Sequence, residues 1–78
     1  MNIEFSKSTH PTLFQAVVRA IEYICDNHQT RNEREVINLT QQELGVRLIR
    51  KDGNTPTTVW IAHFASEKAF TMFMLRWS

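Results

Sequence analysis

The chain has 78 residues, 42% of them apolar and 22% charged, which is the balance of one small globular domain and not of a disordered segment. Nine Lys plus Arg against eight Asp plus Glu leave a net charge of +1, which excludes an acidic nucleic-acid mimic and offers phosphate no basic field. A single cysteine, Cys25, excludes an intramolecular disulfide and suits a reducing compartment, so a thin core must carry the fold alone.

Asn2 to Ser6 alternates, with Ile3 and Phe5 on one side and Asn2, Glu4 and Ser6 on the other. That period predicts a short strand with one buried face. Ser8-Thr9-His10-Pro11-Thr12 breaks it: Pro11 fits a first helical turn, and Thr12 with Gln15 has the spacing of a capping box. From Thr12 to about Asn27, Phe14, Val17, Val18, Ile21, Ile24 and Cys25 recur at helical spacing while Arg19, Glu22 and Asp26 take the opposite side. This segment is an amphipathic helix. His28 to Glu35 is polar and reads as a loop.

From Val36 to Lys51 two readings compete. Thr40-Gln-Gln-Glu43 has capping-box spacing and could start a short helix. Alternatively, Leu44 to Lys51 is a strand, turned at Asp52-Gly53-Asn54 and answered by Thr57 to Phe64, which is rich in β-branched and aromatic residues. The turn chemistry favours the hairpin and leaves residues 36–44 open between helix, strand and loop. Ser66 then caps a last helix, with Glu67 at its positive end. Ala69 to Trp77 is apolar nearly all round, leaving Lys68, Thr71 and Arg76 for water.

The expected fold is a single small two-layer α+β domain over residues 1–78, in the order strand–helix–β-hairpin–helix, with two helices on one face of a three-stranded sheet. No leader segment is visible, and no apolar run approaches the roughly 20 residues that span a bilayer. A cytoplasmic protein without a membrane partner is expected.

Chemistry-bearing patterns are sparse. Cys25 is the one strong nucleophile, with His10, His28 and His63 as candidate bases. Cys25 and His28 share a helix face, but Cys25 falls in the apolar stripe, where a thiol without a positive neighbour is inert. The same four residues lack the two close pairs of a zinc site, and Gly45 and Gly53 form no phosphate loop. Neither an enzyme, a metal nor a cofactor is expected. Leu39-Thr-Gln-Gln-Glu-Leu44 has the look of the first half of a helix-turn-helix, but Val46 to Asn54 replaces the tight turn that should come next.

The hairpin is more informative. Helices on one side of the sheet leave the other side open. Along Thr57 to Phe64, Val59, Ile61 and His63 share one face and Trp60, Ala62 and Phe64 the other. Arg47 and Ile49 lie together opposite Val46 and Leu48. A two-layer fold buries only one of these faces, so apolar residues with arginine beside them should remain exposed, as in protein interfaces. A partner protein, a second copy of the chain, or unpaired bases stacked on an aromatic ring would each suit that face.

Phe64-Ala-Ser-Glu67-Lys-Ala69-Phe-Thr-Met72-Phe73-Met-Leu75-Arg-Trp77 resembles the ending of many small uncharacterised proteins of tailed bacteriophages. These close with Phe, two residues and an acid, followed by a helix bearing Met-Phe-x-Leu-x-Trp. Lys68-Ala69 stands here where an Asp is usual. The resemblance implies a strand running into a terminal helix, with Phe64, Phe73, Leu75 and Trp77 in the core. It also implies a phage origin, and small phage proteins commonly bind and disable a host protein. The expectation is therefore stoichiometric binding of a host protein of the defence, transcription or metabolic machinery, with Arg47, Ile49, Arg50, Lys51 and Trp60 as the contact surface. The alternative is a small nucleic-acid-binding regulator, with Arg47, Arg50 and Lys51 on phosphates and Trp60 stacking on bases.

Overall fold

In the computed structural model, which describes residues 1–52 and 59–78, the alternation at the amino end becomes β1 (Asn2–Phe5). Ser6 then folds the connection back on itself. Its N–H donates to Thr9 Oγ1 at 2.9 Å and its carbonyl accepts from the His10 N–H at 3.0 Å. The next element, α1 (Pro11–His28), starts with Pro11 in its first turn. His10 occupies the N-cap without a side-chain cap bond, so the box expected from Thr12 and Gln15 does not form. The buried stripe of α1 is Leu13, Ala16, Val17, Ala20 and Ile24.

Of the segment expected as a loop at His28 to Glu35, Gln29 to Asn32 does connect two elements, but His28 ends α1 and Glu33 to Glu35 form the first turn of a second helix, α2 (Glu33–Leu44). Asn32 caps it by accepting the Glu35 N–H at 3.1 Å, and Glu33 and Glu35 lie at the positive end of its dipole. Gly45 closes it at a φ of +73°, a left-handed position that favours glycine. Thr40 begins no helix. It lies inside α2, fully buried, with its hydroxyl donating to the Val36 carbonyl at 2.7 Å. The strand read from Leu44 also forms, as β2 (Val46–Asp52), so the two competing readings share the chain at Gly45.

The second arm is β3 (Val59–Phe64); the expected turn around Gly53 and Asn54 and the arm's start at Thr57 and Thr58 lie outside the described residues. The sheet order is β1-β3-β2, antiparallel throughout. Ser66 caps α3 (Glu67–Trp77) as expected, accepting the Ala69 N–H at 3.2 Å.

One end of the sheet fixes which way its main chain points. The Met1 amine donates to the Phe64 carbonyl at 2.8 Å, and the Phe64 N–H donates to the Met1 carbonyl at 2.8 Å. By antiparallel alternation, Phe64, Ala62 and Trp60 turn their amides to β1, and His63 and Ile61 turn theirs to β2. Val46 and Leu48 therefore direct their amides away from β3, yet they are only 0% and 2% exposed. Packing of α2 along β2 accounts for this, and it shields an edge that would otherwise invite another strand.

The helices all lie on one side. Phe5, Val46, Leu48, Ala62 and Phe64 of the sheet pack with Leu13, Ala16, Val17, Ala20 and Phe73 of the helices. Phe64 makes edge-on contacts with Phe70 and Phe73 at 5.2 and 5.4 Å between ring centres. The shortest dimension of the molecule is 18 Å, room for one helix layer on one sheet layer at about 10 Å each. This is the expected two-layer α+β architecture with one more helix than expected.

That extra helix also changes α3. With α1 packed against both other helices, α3 contributes only Phe73 to the fully buried core. Met72 is 61% exposed and Leu75 79% exposed. The burial expected on more than one side of α3, and the core position that the phage resemblance implied for Leu75, are both corrected. Phe70, Met74 and Trp77 are half-buried beside the core. Among the described residues no helix is long and apolar enough to cross a membrane.

Candidate functional site

Pairing of β3 with both neighbours lays out the uncovered face row by row. Asn2, His63 and Arg47 stand side by side, and Glu4, Ile61 and Ile49 form the next row. Val59 continues beyond Ile61 on β3. Ile49 is 43% exposed at the middle of its strand. A β-bulge interrupts β2 between Arg50 and Asp52, leaving Lys51 without a pairing partner. From there its ammonium reaches Glu4 Oε2 at 2.9 Å, so an ion pair joins the two outer strands across β3. In the other row the His63 ring hydrogen-bonds Asn2 Oδ1. Arg47 is exposed and has no ion-pair partner among the described residues.

This arrangement divides the five expected contact residues. Arg47, Ile49 and Lys51 come together on the open face. Arg50 and Trp60 turn the other way, toward the helices. Trp60 is half-buried against the core, with the Arg50 guanidinium 5.0 Å from its ring centre. The same guanidinium pairs with Glu33 at the start of α2 at 2.5 Å. Asn2 and Glu4, which complete the face, were absent from the expected surface. Their signal was the polar half of the β1 alternation, but nothing in the sequence says that β1 pairs with β3.

The nucleophile and metal candidates are dispersed. His10 shares a 3.1 Å hydrogen bond with Thr9 Oγ1, and His28 pairs with Glu43 of α2. Cys25 is half-buried and lines a pocket of about 300 Å³ with Ile21, Val36, Ile37 and Trp60. Among the described residues, no three of His, Cys, Asp and Glu approach closely enough to hold a metal ion. A second apolar groove of about 510 Å³ runs between β1, the start of α1 and α3, walled by Ile3, Leu13, Phe70 and Met74. At the far end of α3, Trp77 meets Tyr23 at 5.3 Å, and the Arg76 guanidinium lies 4.8 Å from the Trp77 ring.

Comparison with protein-family models, curated proteins and solved structures returns no match for this chain.

Proposed function

We propose that this protein acts by stoichiometric binding of another protein and inhibits or redirects what it binds. Its open sheet face is the contact surface, and its partner is a host protein in the cytoplasm if the phage resemblance reflects origin. The observation that carries this reading is the exposed Ile49 beside Ile61, ringed by Arg47, His63, Asn2 and the Glu4–Lys51 pair. Burying an apolar centre inside a polar rim is how protein interfaces gain free energy while staying soluble when free. The rival nucleic-acid reading loses support, because the Trp60 ring it would stack on bases packs against the helices.

A tagged pull-down from bacterial lysate, with and without nuclease, tests the proposal. The expected result is one protein recovered at near-equal stoichiometry, indifferent to nuclease and lost with Ile49→Asp, while the variant keeps its circular dichroism. Recovery that vanishes with nuclease would favour the regulator instead.

A further inference from the structure

We infer that the open face receives an acidic amphipathic helix of its partner, laid along the strands with apolar residues on Ile49 and Ile61 and a carboxylate on Arg47. This rests on the reading of that face as a docking surface and adds the chemistry of what docks there.

Width and spacing select a helix. Three strands spaced about 4.8 Å apart put β1 and β2 roughly 10 Å from each other, one helix diameter. Ile49 and Ile61 lie directly side by side, and Arg47 is two residues along β2 from Ile49. Two strand residues span about 6.8 Å, close to the ~6 Å rise of four helical residues. A helix with an apolar side chain at i+3 over the isoleucine pair therefore brings its i+7 residue over Arg47, while its apolar i residue lies about 4.5 Å further along the face, away from Arg47.

Charge selects the acid. Among the described side chains the face carries Arg47, Lys51 and Glu4, and Glu4 is engaged by Lys51. Arg47 is left as the positive charge with no counterpart among the described residues. A second copy of this chain would bring another Arg47 and another engaged Glu4, so among the described side chains it offers Arg47 no free carboxylate. A phosphate backbone would meet a single cation unpaired among the described residues, and its bases only the His63 ring, already hydrogen-bonded to Asn2, whereas a helix bearing leucine and glutamate satisfies both the isoleucine pair and Arg47.

The test uses a blocked alanine-rich peptide of about 18 residues, long enough to populate helix in water. It carries Leu at i and i+3 and Glu at i+7, and its counterpart carries Lys at i+7. Each is titrated to millimolar concentration into isotope-labelled protein, followed by amide chemical shifts. The expected result is movement of the Arg47, Ile49, Ile61 and His63 signals, with affinity roughly three- to fivefold higher for the Glu peptide. In Arg47→Glu that preference should invert. Equal affinities, no inversion, or no movement of these signals with any probe would overturn the inference. So would stronger shifts of the same signals with a sixteen-nucleotide oligothymidylate, or shifts that grow with protein concentration alone and assign the face to a second copy. The two readings fail separately. A pulled-down partner lost with Ile49→Asp but insensitive to Arg47→Glu would keep the docking face and remove the acidic helix, while one insensitive to both would remove the face as well.

Discussion

Residue by residue, β2 is read by two different environments. Arg47 and Ile49 face solvent, while Val46 and Leu48 are buried and Arg50 lies between the Trp60 ring and Glu33. Substitutions on the two sides should therefore separate binding from stability. Arg47→Glu changes an exposed side chain and should shift stability by no more than about 0.5 kcal/mol. Arg50→Ala removes a cation–π contact and a half-exposed ion pair, each worth roughly 0.5–1 kcal/mol, and should lower the denaturant midpoint measurably. Chemical denaturation of the two variants side by side checks this, and equal stabilities would contradict the division of the strand. The alternation that separates Trp60 from Ile61 was legible in the sequence. Which of the two faces the helices cover was not, because both sides of Thr57 to Phe64 are apolar and burial is decided by packing against other elements.

At the scale of elements, α2 was the one most hidden. Its buried stripe holds Val36 and Thr40, and a buried threonine does not register in an apolar count. Its charged opening, Arg34 between Glu33 and Glu35, has the composition of a loop, although acids in a first turn favour a helix. Removing the cap by Asn32→Ala should destabilise the protein by about 1 kcal/mol, seen as a fall in Tm of roughly 4–8 °C. An unchanged Tm would mean that the Asn32 cap contributes nothing. In α3 the apolar sequence misled for another reason: continuous hydrophobicity states how many sides could be buried, and the number of neighbouring helices states how many are. Phe73→Ala should cost about 3–5 kcal/mol, and Leu75→Ser no more than about 0.5 kcal/mol. Thermal unfolding distinguishes them, and a destabilised Leu75→Ser would restore the expected burial of a second side of the helix.

For the molecule as a whole, the thin dimension decides which face stays uncovered. A radius of gyration of 11.7 Å matches the roughly 11.5 Å expected of a well-packed chain this long, so the open sheet face does not reflect a loosely formed core. It arises because three helices share one side of three strands. The class of fold and its strand pairing into a hairpin were legible because strand and turn residues differ in kind from helix residues. The shared side was legible only as a choice between two faces. With one cation unpaired among its described residues, the open face is also limited in what it can do with nucleic acid. Each phosphate neutralised on a single strand contributes about 0.7 to the slope of log affinity against log salt. Arg47 alone should give a slope near −1, even with Lys51 recruited from Glu4 no steeper than about −2, and binding weaker than about 100 µM at physiological salt. Fluorescence anisotropy of labelled oligothymidylate across a salt series measures both quantities. A steep slope with micromolar affinity would require a cluster of cations acting together. If the open face supplied that cluster, Arg50 would have to leave Glu33 and Trp60, and the half-buried tryptophan would become solvent-exposed, a change that its emission would report in the same titration once Trp77 is replaced by phenylalanine.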